Sequence, residues 1–303
     1  MPSKPRARPK PRRCPLTLRA RPYRSVLYIP GSRDRALEKA KELPADAIIF
    51  DLEDAVAVEE KGNARALLAE RLAEGGYGNR AQIVRINGMD TPWGEDDLAA
   101  MMEIGPEAVL LPKVASAADV AAVAARLDAH PKTAGTQIWA MMESPVGILN
   151  AAEIARAPRM AGFVMGTNDL AKDLGCRTRG AMHTALQHCL LAARAAGIVC
   201  VDGVYNAFRD EEGLARECAE GRDFGFDGKT LIHPAQIAIA NAAFAPSEAE
   251  IELARRQIAA YEEALARGEG VAVVDGQIVE NLHVDTARAT LAKAGAIAGQ
   301  EAA

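Results

Sequence analysis

The most informative stretch of the sequence runs from Gln137 to Leu174 and reads QIWAMMESPVGILNAAEIARAPRMAGFVMGTNDLAKDL. Two apolar runs of strand length, QIWAMM and AGFVMG, lead into the carboxylates of Glu143 and Asp169. The residues between them predict a turn and a helix, with Ser144 as N-cap and Pro145 at the first helical position. A strand, a crossover helix and a second parallel strand place both strand ends on one edge. We therefore expect Glu143 and Asp169 to lie side by side.

Two neighbouring carboxylates suggest a metal site at this edge. Hard cations prefer oxygen ligands, so two acids with room for water and substrate oxygens suit Mg²⁺ better than Zn²⁺, and Mn²⁺ could substitute. The alternative is that one or both acids cap the helices that follow. Strand-end carboxylates in such folds are often functional, which favours a metal held by Glu143 and Asp169.

The pattern of this stretch extends along most of the chain. From Ser25 onward, apolar runs of strand length alternate eight times with helical segments. The runs are apolar throughout, which is typical of parallel strands covered on both faces. Eight such units predict an α/β fold, a closed (β/α)8 TIM barrel with its active site at the C-terminal ends of the strands. A doubly wound open sheet is the alternative, weakened by the absence of GxGxxG after the first strand.

Composition divides the chain into three predicted parts. Residues 1–22 are rich in Pro and Arg and lack apolar periodicity, which predicts a disordered basic tail. Residues 23–245 form the predicted TIM-barrel catalytic domain. Residues 246–303 predict a charged helix, a hairpin and a closing helix. This last segment is too small for a core of its own, so we expect it to pack over a barrel mouth as a lid, on its own subunit or a neighbour's.

Charge is distributed unevenly along the chain. Residues 1–24 contain nine of the 36 Lys and Arg residues and none of the 41 Asp and Glu residues. Such a tail could be a nucleic-acid or membrane-surface arm, or a transit-like segment. Its prolines disfavour the amphipathic helix that transit peptides use, so we expect a dispensable extension and no nucleic-acid partner.

Hydropathy and cysteine usage indicate the compartment. No apolar run approaches the ~20 residues that a membrane helix needs, so we expect no membrane partner. The five cysteines form no CxxC or other metal spacing, and an odd, scattered set is typical of reduced thiols. These features predict a cytoplasmic protein.

Seven stretches, taken in order, resemble the citrate lyase β-subunit-like branch of the HpcH/HpaI aldolase family. They are RSVLYIPGS, ADAIIFDLEDAV, VRINGMDTPWGEDDL, LLPKV, AMMESPVGILNA, MGTNDLAKDLG and GFDGKTLIHPAQI. Together they cover residues 24–245. Within the family, the chain is most similar to CoA-ester lyases that cleave malyl-CoA and β-methylmalyl-CoA.

The resemblance implies roles for several residues near the strand ends. In such lyases the Glu of ME[ST]P and the Asp of GTND hold Mg²⁺, here Glu143 and Asp169. The Arg of VRIN, here Arg85, binds the carboxylate of a 2-oxo acid such as glyoxylate, for which its planar fork is suited. Alternatively, Arg85 pairs with an acid of the DLED cluster. The two roles are compatible if that acid orients the guanidinium toward the substrate. Asn168 of the GTND stretch is a predicted substrate-binding residue.

Two implied roles lie outside these strand ends. Arg24 resembles the family's basic residue for the CoA phosphates, and the alternative is a solvated Arg beside a basic tail. Similar enzymes carry an acid in a GKMID-like stretch of the lid that reaches a neighbouring subunit's active site. Here the stretch is GQIVE, which puts Glu280 in place of an Asp, on an arm one methylene longer. Alternatively, Glu280 is a surface residue of the hairpin.

The activity implied is that of a Mg²⁺-dependent CoA-ester lyase. It would cleave a 3-hydroxyacyl-CoA reversibly, by a retro-Claisen reaction, into a 2-oxo acid and an acyl-CoA. In reverse, Glu280 is the candidate base that removes a proton next to the thioester, with Glu53 and Asp54 as further candidates. A lid acid that serves a neighbour requires a homo-oligomer, either a trimer or a hexamer.

Three other functions stay open at this stage. A malyl-CoA thioesterase would use the same metal site, with water attacking the thioester. A citrate lyase β-like subunit, or citramalyl-CoA lyase, is a second alternative, the former with an acyl-carrier partner. A catalytically weakened barrel that binds CoA or nucleic acid is the third.

Overall fold

Eight parallel strands close into a barrel in the computed structural model, which describes residues 21–301. Each strand pairs with the next in sequence, and the first pairs with the eighth. The predicted TIM barrel is therefore confirmed and the open sheet excluded. The strands are Ser25–Pro30 (β1), Ala47–Asp51 (β2), Ala81–Arg85 (β3), Ala108–Leu111 (β4), Gln137–Met142 (β5), Met160–Met165 (β6), Val199–Asp202 (β7) and Gly228–Leu231 (β8).

Helices follow every strand and cover the outside of the barrel. Within residues 21–301 no helix is both long enough and apolar enough to span a membrane. The barrel helices are Asp34–Ala40 (α1), Lys61–Glu74 (α2), Gly94–Ile104 (α3), Ala117–Asp128 (α4), Pro145–Leu149 (α5), Ala151–Ile154 (α6), Thr167–Leu174 (α7), His183–Ala196 (α8), Glu211–Phe224 (α9) and Ile237–Phe244 (α10).

Alternating side chains of the strands build two apolar layers. One layer lies between the strands and the helices, and the other is a separate cluster that includes Val26, Ile49 and Trp139. Trp139 is fully buried, and a Cβ at Gly162 would lie only 2.6 Å from its ring. Glycine at position 162 therefore makes room for the largest side chain of this second cluster.

Strand register brings the predicted site residues to one end of the barrel. Asp51 at the end of β2 lies opposite Arg85 at the end of β3. Met142 and Met165, the last residues of β5 and β6, are also level. Because all strands are parallel, the residues that follow these ends gather at one opening, called the mouth below.

The C-terminal segment folds against itself. It contains Glu248–Ala266 (α11), a hairpin of Ala272–Val274 (β9) and Gln277–Val279 (β10), and Asn281–Glu301 (α12). Ser247 and Glu250 form the capping box that the sequence predicts, and the hairpin turns at Asp275 and Gly276, both at positive φ. A small apolar cluster joins the parts, namely Ala264, Ala272, Val274, Val279 and Val284.

The C-terminal end of α12 contacts the end of the barrel opposite the mouth. Glu301 pairs at 3.1 Å with Arg24, which directly precedes β1. Gln300 donates at 3.3 Å to Asp46, which directly precedes β2. Lys293 lies with Tyr23 in the wall of one cavity at this same end. The expectation of a lid over its own mouth is therefore wrong, because α12 is anchored at the opposite end. A lid on a neighbour, and the boundaries 23–245 and 246–303, stay predictions. The tail of 1–22 lies almost entirely outside the described residues.

Candidate active site

A cavity of about 560 Å³ opens at the mouth. It brings together most of the residues that the sequence predicts for the site, since Arg85, Glu143, Asn168, Asp169 and Asp54 all line it. Its other walls come from the ends of the remaining strands and the segments after them, among them Tyr28, Asp51, Met141, Val204, Asn206, Thr230 and Ile232.

Glu143 directly follows β5 and is held by a backbone group. Its side chain is only 4% exposed, and its Oε1 accepts the Lys113 N–H at 2.7 Å. Lys113 has a φ of 51°, an uncommon conformation for a non-glycine residue. Burial raises the pKa of Glu143, opposed by the Lys113 N–H and reinforced by the charge of Asp169. A cation between the two carboxylates would relieve this repulsion.

Neither carboxylate serves as a helix cap. The Ser144 hydroxyl accepts the Gly147 N–H at the start of α5, as predicted. Asp169 lies in the first turn of α7, whose N-cap is Gly166. Among the residues that the structure describes, the Asp169 carboxylate accepts no hydrogen bond, so its oxygens are available to a ligand.

The donor set fits Mg²⁺. In the described part of the chain, no group of three or more His, Cys, Asp or Glu side chains is arranged to hold a metal. Two carboxylate oxygens with the remaining positions left to water and substrate match a cation that keeps several waters. A Cβ at Gly166 would lie 2.4 Å from the Cβ of Glu143 and 2.6 Å from its Oε2, so glycine there leaves room for the Glu143 carboxylate.

Arg85 is fixed by the acids that precede it in sequence. Its Nε and Nη2 donate to both oxygens of Asp51, at 2.7 and 2.6 Å. Its guanidinium carbon lies 5.0 Å from the centre of the Tyr28 ring. The remaining nitrogen, Nη1, is 2.9 Å from Glu53 and 3.4 Å from Asp54. The DLED cluster therefore does pair with Arg85, and Asp51 orients the guanidinium beside the cavity.

Glu53 has two opposing influences on its charge. Burial raises its pKa to about 7, while Arg85 lowers it and Asp54 raises it further. The ion pair with Arg85 favours the charged form, yet Glu53 is only 8% exposed and Arg85 is already neutralised by Asp51. Burial outweighs the ion pair, so both protonation states of Glu53 are populated near neutral pH.

Replacing Glu53 with Gln is expected to stabilise the protein at pH 8 and to change little at pH 5. The folded-state pKa of about 7 lies above the ordinary 4.5, so the fold favours the protonated acid, and this contribution is lost as pH rises through 7. Above pH 7 the charged form of Glu53 lowers the free energy of unfolding by up to about 3 kcal/mol. The neutral Gln side chain does not carry this cost. Urea unfolding at both pH values measures this, with the exposed Glu59→Gln as control. Equal effects at both pH values would refute it.

Arg24 lies away from this site. It directly precedes β1 and so sits at the end of the barrel opposite the mouth. Its side chain is buried, with Nε and Nη2 donating to Asp46 at 2.9 Å each. The predicted contact between Arg24 and the CoA phosphates is wrong for a ligand at the mouth, because the guanidinium is already paired at the far end.

Two further predicted residues are exposed. Asn168 lines the cavity, and its side-chain oxygen accepts from Asn206 at 2.8 Å. Glu280 lies between β10 and α12, and its backbone N–H donates to Nδ1 of His283. Glu280 is not among the residues that line the mouth of its own barrel. Their roles in binding and catalysis stay predictions.

Sequence reasoning missed several residues of the site. Asp51 was visible only as one of three clustered acids, and nothing in the sequence says which of them pairs with Arg85. Tyr28 alternates with buried strand residues, and its position beneath Arg85 depends on the closure of the barrel. Thr230 lies in the stretch GFDGKTLIHPAQI but was assigned no role, and Asn206 belongs to no quoted motif. Their places near the end of β8 and after β7 are nevertheless a usable signal.

Comparison with known proteins agrees with this geometry. The family model for HpcH/HpaI aldolase/citrate lyase matches residues 24–234. A (3S)-malyl-CoA thioesterase of Cereibacter sphaeroides (strain KD131 / KCTC 12085) is 66% identical over 282 residues, covering 92% of this chain and 97% of that protein.

Solved structures from Mycobacterium tuberculosis are also similar. The protein CitE in complex with magnesium, acetoacetate and coenzyme A has a TM-score of 0.75 at 31% identity, over 91% of this chain and 99% of that one. The citrate lyase beta subunit complexed with oxaloacetate and magnesium has a TM-score of 0.66 at 32% identity, over 76% and 100%. The chain belongs to the HpcH/HpaI aldolase/citrate lyase family.

Proposed function

We propose that this protein is a Mg²⁺-dependent thioesterase that hydrolyses a 3-hydroxyacyl-CoA of the malyl-CoA type to the hydroxy acid and free CoA. The 66% identity to a (3S)-malyl-CoA thioesterase, over 92% of the chain, carries this proposal. This identity favours the thioesterase, which the sequence left as an alternative, over the lyase, which the sequence favoured.

The two carboxylates at the mouth support the metal requirement. Glu143 and Asp169 would hold Mg²⁺, which supplies a Lewis acid and a template when bound. Solved relatives are complexed with magnesium, and one of them also with coenzyme A. Glu143 is shielded from bulk water, and a charge in such a low-dielectric setting acts on a ligand more strongly than it would in water.

Arg85 would bind the free carboxylate of the acyl group. Asp51 occupies its Nε and Nη2, which leaves Nη1, paired with Glu53 at 2.9 Å and beside the exposed Asp54, as the group nearest a ligand. Asn168, which lines the same cavity after β6, would add a polar contact to the substrate. A solved relative is complexed with oxaloacetate, a 2-oxo acid, which fits a carboxylate site of this kind.

Cleavage of the C–C bond is the second candidate function. The observation that favours it is Arg85 beside the Glu143 and Asp169 pair, an arrangement that suits a 2-oxo acid as product. Glu53 and Asp54 lie next to Arg85 and are candidates for proton transfer within the chain. Glu280 is the candidate from a neighbouring chain.

Product analysis separates the two reactions. Purified protein would be given malyl-CoA, β-methylmalyl-CoA and citramalyl-CoA separately, with Mg²⁺ or EDTA, while free thiol and 2-oxo acid are followed together. The proposal expects free thiol without 2-oxo acid, lost with EDTA. Oxo acid without free thiol would establish the lyase instead. No reaction with any of the three would contradict both.

We further propose that the protein is a homo-oligomer in which the C-terminal hairpin packs on a second copy. Large apolar side chains around Glu280 support this, since Val273, Ile278 and Leu282 are each about three-fifths exposed or more. Val146 and Leu149 of α5, next to Glu143, are exposed as well and offer a complementary surface at a mouth.

Mixing two variants tests the oligomer. We expect Glu143→Gln and Glu280→Gln to be nearly inactive alone. Mixed and reassembled, they should regain about a quarter of wild-type activity, because random pairing joins an intact mouth to an intact Glu280 in that share of sites. Activity that stays near zero in a mixture shown to exchange chains, or a fully active Glu280→Gln, would contradict a role in the neighbour's site.

A further inference from the structure

A buried lysine lies just outside the mouth. Lys61 is the first residue of α2, and only 6% of its surface is exposed. Its Nζ donates to the carbonyl oxygens of Leu52 and Glu53, at 2.9 and 2.6 Å, and to Oδ1 of Asn87 at 2.8 Å. These three acceptors use all three ammonium protons. Within residues 21–301, no carboxylate oxygen lies within 4 Å of this Nζ.

These bonds join the two segments that build the Arg85 site. Leu52 and Glu53 follow β2, whereas Asn87 follows β3. The Asn87 side-chain nitrogen also donates to the Leu52 carbonyl at 2.9 Å and to Asp97 at 2.6 Å. Lys61 therefore lies at the centre of a network that ties the end of β2 to the end of β3.

The segment held by Lys61 shapes the partner of Arg85. The Glu53 N–H donates to one oxygen of Asp51 at 2.8 Å, and the Ala55 N–H donates to the other at 3.1 Å. The same two oxygens bind Arg85. Displacement of this segment would therefore rotate the Asp51 carboxylate and, with it, the guanidinium beside the cavity.

We propose that Lys61 is a positioning residue, which fixes the segment after β2 so that Arg85 is aimed at the carboxylate of the substrate. This rests on the function proposed above. Burying an ammonium without a carboxylate partner is costly, and a side chain that only filled space would not need the charge. Burial lowers the pKa of Lys61, while the nearby Asp51 and Glu53 oppose the shift. The Nζ group satisfies two backbone carbonyls, and this geometry is what a purely space-filling side chain would not provide.

Three variants test the proposal. Lys61→Met keeps the length and removes the donors, Lys61→Arg keeps donors, and Lys39→Met changes an exposed lysine of α1 as control. We expect Lys61→Met to speed amide hydrogen exchange at Glu53 and Ala55 at least about tenfold and to lower kcat/KM about 10- to 100-fold, chiefly through KM. The affinity for free CoA should not change, and Lys61→Arg should recover part of the loss.

Hydrogen exchange needs no substrate, so it decides whether Lys61 holds the segment even if the protein acts on no CoA ester. Unchanged exchange at Glu53 and Ala55 in Lys61→Met overturns the proposal. It is also overturned if exchange rises but KM stays at the wild-type value, or if free CoA binds more weakly to the same extent. Inactive wild-type protein with the expected exchange would contradict the proposed function instead.

Discussion

Replacing Glu143 with Gln is expected to lower kcat/KM for CoA-ester turnover by about 10³-fold or more, because a bound cation contributes several kcal/mol to catalysis and 1.4 kcal/mol is a factor of ten. Gln keeps nearly the same volume and can still accept the Lys113 N–H through its amide oxygen. The variant removes a charge that burial disfavours. We therefore expect a melting temperature, measured without Mg²⁺, that is not below that of the wild type.

Steady-state kinetics with rising Mg²⁺ concentration measure the effect, and melting curves establish that the fold is intact. Glu153→Gln is the matched control, since Glu153 is exposed on the nearby α6. Activity that returns fully at high Mg²⁺ would mean that Glu143 contributes little beyond ion affinity. Activity within tenfold of the wild type at every Mg²⁺ concentration would rule out Glu143 as a ligand.

Replacing Arg85 with Lys should lower kcat/KM by about 10²-fold or more, although the charge is kept. The guanidinium holds both oxygens of Asp51 and still presents Nη1 beside Asp54, whereas one ammonium cannot serve both places. The stacking over Tyr28 is lost as well. Because buried Asp51 loses part of its hydrogen bonding, we also expect a loss of about 1–3 kcal/mol in the free energy of unfolding.

Kinetics and urea unfolding of Arg85→Lys measure the two effects separately. Arg216→Lys provides the control, because Arg216 is exposed and, within residues 21–301, its one ion pair is with Glu212 at 3.8 Å. If Arg85→Lys lost stability but kept kcat/KM within threefold of the wild type, Arg85 would be a structural partner of Asp51 and not a substrate-binding residue.

Local sequence patterns were sufficient for the barrel and for the placement of the two carboxylates. The runs before Glu143 and Asp169 are apolar and of strand length, and a parallel crossover leaves no other edge for the acids. The acid that pairs with Arg85 could not be identified from the sequence, because three acids lie within four residues of each other. Strand register, and not sequence spacing, selects Asp51.

Residues joined over long distances in sequence were the ones missed. Arg24 pairs with Glu301 at the far end of the chain, and no local pattern announces that α12 packs there. Its place before β1 is nevertheless a usable signal, because a residue that precedes a barrel strand lies at the end opposite the mouth. Lys61 reads as a solvated helix residue in EEKGNAR, and its burial follows from how β2, β3 and α2 meet.

Metal binding tests the central claim most directly, namely that Glu143 and Asp169 together hold a divalent cation. Mn²⁺ would be titrated into wild type, Asp169→Asn and the exposed control Asp173→Asn, and free Mn²⁺ followed by its electron paramagnetic resonance signal. We expect one ion per chain in wild type and control, with affinity at least about tenfold weaker in Asp169→Asn, because half of the protein ligand set is lost. Equal affinity in all three proteins would contradict the claim.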